Sequence, residues 1–536
     1  MPSIFKYVRK NSFFFLFLLT LSIGVIGFSI WHGDNPFPYS MDWDLFAHQT
    51  LFQQISQGNF HLFPSEISDT FLVNAYTPLF AILLGVGKLA LPFLSFLEYF
   101  FIINMLHYFA TIYIGCLFAW FITRNHLVVL VTAILNAFTF EATVAQTAFF
   151  FIPQNLAASL VVLCIYFWFK RKIRLVVVLL LLTFLLHFVI GLFGILLIGV
   201  LWLFYYFLED HPDPSYFLRQ SFIFLVELLL MAIFINWFFS FNPFGSQESI
   251  IFNFDLNQKF DLLMKWYGGL WLFYPLGVWF IAKNIRSHGN ETLFITTLLS
   301  LGLLATIALP LPYSLKFYTI TRYLVHLVMA VGVAQLIHLF KSPIIRTTLL
   351  IALFATHMLT FYYVQHAFKF AMRSSEVVTS VSLEELEAAE FLKIKYGNKS
   401  GVIMLSDPAT QHVIEGLSGI NTQGGAFANN TTRKLIDGLY PLHDVRTLSG
   451  KLLALYTVDD QVNDERNETV LLVVSGRFME WQGLEAPFRY DEGYNVWGTR
   501  ELTFTGKEYI EVLKQNETVN LVFENDAMGV FEVNKE

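Results

Sequence analysis

A succession of long apolar runs, separated by short polar clusters, constrains this chain more than any other feature. Runs long enough to cross a bilayer lie at 11–31, 98–122, 127–144, 153–169, 175–190, 191–208, 219–240, 267–283, 291–310, 319–340 and 346–365. A helix needs about 20 mostly apolar residues to span roughly 30 Å of hydrocarbon. Hydrophobic residues make up 55% of the chain and charged residues 14%, which excludes a soluble globular protein. We predict a polytopic α-helical membrane protein with about eleven spans.

The run 76–94 decides the predicted topology. Two prolines, two glycines and Lys88 interrupt it, so we predict a helix that lies at the membrane face instead of crossing. With that choice the cluster 170–174 and the other basic loop residues fall on the same side as the basic N-terminus. Basic loops are typical of the cytoplasmic side. The expected location is the cell membrane, with the N-terminus inside and the C-terminus outside.

The composition changes near residue 370. Long apolar runs end there, and the following residues have the composition of an ordinary soluble domain. An amphipathic helix is predicted from Ser382, and strands are predicted at 401–407, 470–476, 519–525 and 529–533. We therefore expect a transmembrane domain over 1–370 and an extracytoplasmic α/β domain over 371–536. Asn-x-Ser/Thr triplets in the second part agree with an outward-facing surface.

The chain lacks the residues that several functional classes require. The chain has no basic patch interleaved with exposed aromatics, so nucleic acid is not an expected partner. Cys116 and Cys164 both lie inside apolar runs, which leaves neither a disulfide framework nor a cysteine metal site. No glycine-rich phosphate loop is present, so a soluble nucleotide-sugar donor has no visible binding site.

Two carboxylates and a histidine lie close together just after the first apolar run. Asp42, Asp44 and His48 fall within seven residues, and a helix beginning near Leu45 would put Asp44 and His48 on one face. Such a group can hold a divalent cation such as Mg²⁺ or Mn²⁺ through oxygen ligands, or can act as a general base. The alternative is that an aspartate here only caps a helix N-terminus.

This arrangement resembles the GT-C superfamily of membrane glycosyltransferases, in particular prokaryotic members related to oligosaccharyltransferases and protein mannosyltransferases. The resemblance lies in Asp44-x-x-x-His48, in the stretch Asn-Ala-Tyr76-Thr-Pro-Leu, in Tyr-x-x-x-Arg322-Tyr-Leu, and in the order of the helices before an external domain. The chain departs from mannosyltransferases because Leu45 follows Asp44, where they have an Asp-Glu pair. It also lacks the Trp-Trp-Asp motif of oligosaccharyltransferases, so protein Asn-glycosylation is not predicted.

The resemblance implies transfer of a sugar from a polyprenyl-phosphate-linked donor to a hydroxyl on a glycan, lipid or protein acceptor at the outer face. It assigns Asp44 as the general base and Asp42 as its partner or as a metal ligand, with His48 beside them. Candidate substrate-binding residues are Arg322, Lys316, His326 and Tyr76. Arg322 would bind the lipid phosphate with its two-pronged guanidinium.

Other interpretations of the same residues remain open. Arg322 and Lys316 can be explained by snorkelling from helix ends, and His326 by an interhelical hydrogen bond. A transporter or flippase would predict internal repeats, which are not found. A polysaccharide polymerase of another membrane fold and an inactive GT-C-like binding protein are further alternatives.

Overall fold

The computed structural model describes residues 12–32, 79–94, 96–138, 151–208, 268–284, 291–308, 317–373, 383–397, 399, 402–406, 414, 416–420, 469–475 and 506–534. Its helices up to residue 373 are α1 (Ser12–His32), α2 (Leu79–Ala90), α3 (Phe96–Thr123), α4 (His126–Ala137), α5 (Pro153–Phe169), α6 (Ile173–Leu186), α7 (Phe188–Leu208), α8 (Phe273–Lys283), α9 (Glu291–Ala308), α10 (Tyr318–His338) and α11 (Pro343–Arg373).

Apolar helices occupy the described parts of the predicted spans. By length and composition α1, α3, α10 and α11 can cross a membrane, and six shorter apolar helices accompany them. The run 219–240 lies outside the described residues, so the count of eleven and the orientation stay predictions. At 76–94 the structure has the 12-residue helix α2. Its length of about 18 Å is too short to cross the hydrocarbon.

The helical hairpin of α6 and α7 turns at His187. Its backbone is extended (φ −156°, ψ 106°), and Nδ1 of His187 accepts a hydrogen bond from the backbone N–H of Ile190 at 3.3 Å. A Cβ at Gly191 would lie 2.4 Å from the Cα of Phe184, so the close return of the chain requires glycine there. The boundary between the two helices falls at 187, whereas the sequence predicted it at 190. The hydrogen bond at His187 and the close approach at Gly191 leave no mark in the hydropathy pattern. His187 therefore has a structural role at this turn.

Helix α10 is the central helix of the described bundle and is buried along nearly its whole length. It packs closely on α8, where a Cβ at Gly277 would lie 2.1 Å from the carbonyl oxygen of Val328. A Cβ at Gly332 would lie 2.2 Å from the carbonyl oxygen of Phe273. Small residues let membrane helices approach at backbone distance, where dispersion contacts replace the missing hydrophobic driving force. The two glycines therefore allow α8 and α10 to pack at backbone distance.

The C-terminal part contains α12 (Leu383–Tyr396), β1 (Val402–Leu405), β2 (Thr469–Ser475), α13 (Gly506–Lys514), β3 (Val519–Glu524) and β4 (Met528–Val533). The strand order is β1-β2-β4-β3, with β1 and β2 parallel and the other neighbours antiparallel. β2 is buried on both faces, as its uninterrupted apolar sequence predicts. The helix from Ser382 and the β3–β4 hairpin occur where the sequence patterns put them.

Residues from distant parts of the chain form the core of this α/β unit. Ala388 and Leu392 of α12 pack with Leu471, Val473 and Val530 of the sheet. The hydroxyl of Tyr396 donates a hydrogen bond to Oε2 of Glu532 at 2.9 Å. Burial, followed by this hydrogen bond and the negative charge of Glu532, raises the pKa of Tyr396. This hydrogen bond therefore links the end of α12 to β4.

The described elements group into two compact units. One contains α1, α3 to α10 and most of α11, and the other contains α2, α12, α13 and the four strands. The domain limits 1–370 and 371–536, drawn from composition, stay a prediction.

Candidate functional site

Helix α10 places a buried cation inside the membrane bundle. Arg322 lies in the second turn of α10 and is 3% exposed, and its guanidinium carbon is 5.1 Å from the ring centre of Tyr323. A charged side chain inside a membrane bundle is costly, by about 2.5–3.5 kcal/mol on insertion scales, and such residues generally serve a function. Snorkelling requires the stem to lie along lipid-facing surface, and the burial of Arg322 disfavours it.

His326 follows Arg322 by four residues and therefore lies on the same face of α10. It is fully buried, and its Nδ1 is 2.7 Å from Oδ1 of Asn136 on α4. Asn136 in turn packs over Gly115 of α3, where a Cβ would lie 2.0 Å from Nδ2 of Asn136. The interhelical hydrogen bond that was the alternative interpretation of His326 is present. This hydrogen bond engages Nδ1 of His326 and fixes the orientation of the imidazole ring.

Two further histidines lie near this pair. His107 of α3 is 5% exposed, and His357 of α11 is 4% exposed. Arg322 is close enough to interact electrostatically with His107 and His326, and His357 is close enough to interact with His326. Within the described part of the chain, Nε2 of His107 has no hydrogen-bond partner. One guanidinium and nearby imidazoles therefore lie in the buried interior of the described bundle.

Hydrogen bonds from neighbouring helices fix the walls of this region. The hydroxyls of Tyr323 and Ser159, on α10 and α5, are 2.8 Å apart. Oδ1 of Asn104 on α3 accepts from the backbone N–H of Phe151 at 2.9 Å, and the ring of Phe151 lies 5.2 Å from that of His107. The start of α5 is therefore held against both α3 and α10, beside the cationic residues. We call Arg322, His326, His107 and Asn136 the cationic cluster.

The cationic cluster has the chemistry of an anion site. A guanidinium donates two parallel hydrogen bonds to a phosphate or carboxylate, and such charge-assisted bonds are roughly twice as strong as neutral ones. Imidazole N–H groups add donors, and the low local dielectric strengthens each interaction. Among the residues that the structure describes, no group of three or more His, Cys, Asp or Glu side chains could hold a metal ion.

The structure brings together two of the predicted site residues, Arg322 and His326. The others lie outside the described residues: Asp42, Asp44, His48, Tyr76 and Lys316. The roles of these residues, and the divalent cation expected at Asp42 and Asp44, therefore stay predictions.

Sequence reasoning missed His107 and Asn136. Both are polar residues inside runs that are otherwise apolar, which is the signal that marks functional or structural positions in a membrane. That signal alone cannot show that they meet α10, because the three positions are far apart in the chain. Ser159 was missed for the same reason, and Tyr323 was noted only as part of the motif around Arg322.

Comparison with known proteins extends these observations. No protein-family model matches the sequence, and no curated protein matches it significantly. Solved structures do match. ArnT from Cupriavidus metallidurans in the apo state aligns over 98% of this chain and 98% of its own, with a TM-score of 0.56 and 11% identity. The chain has the GT-C fold.

Two further structures agree with the GT-C fold. ArnT from Cupriavidus metallidurans bound to undecaprenyl phosphate covers 97% of this chain and 98% of its own, with a TM-score of 0.54 and 9% identity. An Archaeoglobus fulgidus oligosaccharyltransferase, tethered to an acceptor peptide containing the Asn-Val-Thr sequon, covers 88% of this chain and 70% of its own, with a TM-score of 0.53 and 12% identity. The predicted resemblance to GT-C glycosyltransferases is thus confirmed for the fold.

Proposed function

We propose that this chain transfers a sugar from a polyprenyl-phosphate-linked donor to an acceptor hydroxyl at the outer face of the membrane. The observation that carries the proposal is Arg322, buried beside His107 and His326 in a chain with the GT-C fold. A buried guanidinium with neighbouring imidazoles suits a ligand that brings a phosphate group to membrane depth. Lipid phosphates are such ligands, since their chain partitions into the bilayer and their head group requires cationic donors.

Arg322 would bind the phosphate that leaves the sugar. The positive charge stabilises the negative charge that grows on the phosphate oxygens as the glycosidic bond breaks. The N–H of His107 at Nε2, which has no protein acceptor within the described residues, is available to the same phosphate when that nitrogen carries the proton. Asn136 would orient His326 through the 2.7 Å hydrogen bond. In this proposal α3, α4 and α10 supply the leaving-group half of the site.

Asp44 would supply the other half as general base. The acceptor oxygen attacks the anomeric carbon, the bond from that carbon to the phosphate oxygen breaks, and polyprenyl phosphate leaves with the electron pair. The hydroxyl proton goes to the Asp44 carboxylate. Asp42 would orient Asp44 or hold a divalent cation with it, while His48 and Tyr76 would border the acceptor side and Lys316 the phosphate. A general base of this kind contributes typically 10²–10⁴-fold in rate.

The structural neighbours support the lipid carrier. One of the ArnT structures contains undecaprenyl phosphate, and the oligosaccharyltransferase structure contains an acceptor peptide. By analogy of fold, we propose a polyprenyl phosphate as the product lipid and leave the acceptor as a glycan, lipid or protein hydroxyl.

Binding of undecaprenyl phosphate to the full-length protein in detergent tests the proposal. We expect saturable binding by the wild type and at least tenfold weaker binding by Arg322→Ala, since a charge-assisted hydrogen bond contributes about 1.5–3 kcal/mol. The matched control is Arg346→Ala, because Arg346 is only half-buried, lies in the first turn of α11 and donates from its Nε to the carbonyl oxygen of Phe340. Equal affinities for wild type and Arg322→Ala would refute the assignment of the cationic cluster.

Sugar transfer must then be measured separately. The purified protein is incubated with undecaprenyl phosphates carrying different labelled sugars and with membrane extracts as acceptor. Binding with transfer supports the enzyme, whereas specific binding without transfer from any donor supports an inactive GT-C-like binding protein. Movement of the lipid between leaflets of vesicles without transfer would support a transporter.

A further inference from the structure

Two loops at the other end of the bundle hold cations around one aromatic ring. The α3–α4 turn carries Arg124, whose guanidinium carbon is 6.0 Å from the ring centre of Phe121. The α5–α6 turn carries Lys170, whose Nζ is 5.6 Å from the same ring centre. Lys170 and Arg124 are both exposed. Two positive charges from separate helical hairpins are thus gathered at one point of the surface.

This point is distant from the cationic cluster. Lys170 follows Ser159 by eleven residues on α5, which at 1.5 Å per residue is a separation of about 16 Å along the helix axis. Ser159 contacts Tyr323, next to Arg322. On the predicted topology the loops at Arg124 and Lys170 face the cytoplasmic leaflet. The two positively charged regions therefore serve opposite ends of the bundle.

Aromatic side chains hold both cations in place. The guanidinium of Arg124 also lies 5.7 Å from the ring centre of Trp120, and Nζ of Lys170 lies 4.4 Å from that of Tyr166 and donates to its hydroxyl. The rings of Phe121 and Tyr166 meet edge to face at 5.1 Å. Cation–π contacts of this kind restrict long side chains that would otherwise move freely in water. These contacts favour side-chain positions in which the two charges lie close to the same rings.

Both turns also contain an arginine in a left-handed backbone conformation. Arg124 has φ 49° and Arg171 has φ 57°. Non-glycine residues are uncommon in this region, which costs of order 1–3 kcal/mol, and such strain tends to occur at ligand-binding sites. No carboxylate among the described residues lies within 4.0 Å of Arg124 or Lys170. An anion bound at this point would offset the repulsion between the gathered charges.

We propose that Arg124 and Lys170 bind the phosphodiester head group of an anionic phospholipid. Basic pockets between transmembrane helices on the cytoplasmic side recognise such head groups. Trp120 and Tyr166 lie beside the cations, and these residue types favour the level of the head groups at a membrane interface. The phosphate oxygens accept hydrogen bonds from the guanidinium and ammonium, and the acyl chains extend along the apolar flanks of the bundle. This site is independent of the function proposed for Arg322.

The test is lipid retention by the full-length protein. Wild type and the double variant Arg124→Gln/Lys170→Gln are purified in detergent and titrated with phosphatidylglycerol or phosphatidylcholine, and bound lipid is counted by native mass spectrometry. Each basic residue near an anionic membrane contributes about 1 kcal/mol, so we expect roughly 30-fold weaker binding of phosphatidylglycerol by the double variant. Phosphatidylcholine, which is zwitterionic, should bind both proteins weakly and equally.

A matched control comes from the α10–α11 turn. Lys341→Gln/Arg346→Gln removes the same charge from exposed Lys341 and half-buried Arg346 near that turn, and should leave binding of phosphatidylglycerol unchanged. Phe121→Leu keeps the charges but removes the shared ring, and we expect an intermediate loss. Equal loss in the control variant, or wild-type binding by the double variant, would overturn the site. Displacement of phosphatidylglycerol by an excess of inorganic phosphate would show an unspecific anion site instead of a lipid site.

Discussion

Nδ1 of His326 lies 2.7 Å from Oδ1 of Asn136, which joins α10 to α4 inside the membrane bundle. Both side chains are at least 96% buried. The bond fixes the imidazole one helical turn from Arg322. A contact that crosses between helices at this depth sets the shape of the cationic cluster, and its removal should affect ligand binding more than insertion of the helices.

We predict that Asn136 and His326 act as a unit in binding undecaprenyl phosphate. Asn136→Leu and His326→Gln should each weaken binding several-fold, and the double variant should lose little beyond the worse single variant, because both changes break the same hydrogen bond. A double-mutant cycle on dissociation constants measures this. Tyr274→Phe is the control, since its hydroxyl bonds to Ser300 at 2.7 Å. Strict additivity would contradict the prediction.

Arg322→Lys separates phosphate recognition from a general need for positive charge. We expect this variant to bind undecaprenyl phosphate about tenfold more weakly than wild type, nearly as weakly as Arg322→Ala, because an ammonium cannot make the two parallel hydrogen bonds. Dissociation constants and turnover of the lipid-linked donor measure this, with expression level and melting temperature as checks on folding. Wild-type behaviour of the lysine variant would remove Arg322 from the site as a specific ligand.

Asp44→Asn preserves the shape of the side chain and removes its charge. If Asp44 is the general base, transfer should fall by roughly 10²–10⁴-fold while binding of undecaprenyl phosphate changes little. The measurement is single-turnover transfer from the labelled donor. A variant that folds normally and transfers at the wild-type rate would favour the helix-capping interpretation. Metal dependence is tested in the same assay with a chelator followed by Mg²⁺ or Mn²⁺.

The predicted topology can be tested with single cysteines. In a background with Cys116 and Cys164 replaced by serine, we introduce Lys172→Cys or Ser400→Cys and label intact cells with an impermeant thiol reagent. Only the cysteine at 400 should react, because basic loops remain in the cytoplasm. Labelling at 172 without labelling at 400 would invert the orientation. The acidic motif would then face the cytoplasm.

The hydrogen bond from Tyr396 to Glu532 makes the stability of the α/β unit sensitive to alkaline pH. Burial, the hydrogen bond and the charge of Glu532 raise the pKa of Tyr396, so folded protein retains a proton that the unfolded chain loses. This contribution is complete below pH about 10 and is lost as the pH rises above it. Tyr396→Phe should destabilise the unit at neutral pH by about 1 kcal/mol and show a shallower alkaline decline.

Pulse proteolysis of the full-length protein in urea, at neutral and alkaline pH, measures this difference. Asn520→Ala is a control, because its Nδ2 bonds to Asn534 at the exposed edge of the sheet. An identical alkaline decline in wild type and Tyr396→Phe would show that other groups control it.

The sequence by itself determined the membrane class, the approximate positions of the apolar helices that the structure describes, and α12 with the four strands of the C-terminal part; it did not predict α13. Hydropathy and strand patterns are local, since burial in lipid or in a sheet acts on neighbouring residues of one segment. Arg322 and His326 were predicted from the resemblance to GT-C glycosyltransferases, with snorkelling and an interhelical hydrogen bond as their alternative interpretations.

Only the tertiary structure decided which partners these residues have. His326 meets Asn136 only because α10 packs against α4, and Asn136 lies against α3 at Gly115, where a Cβ would collide with its side chain. Phe121 likewise joins Arg124 to Lys170 only once two helical hairpins are packed. Such contacts depend on the balance of many weak interactions across the bundle, and no local pattern in the sequence encodes them.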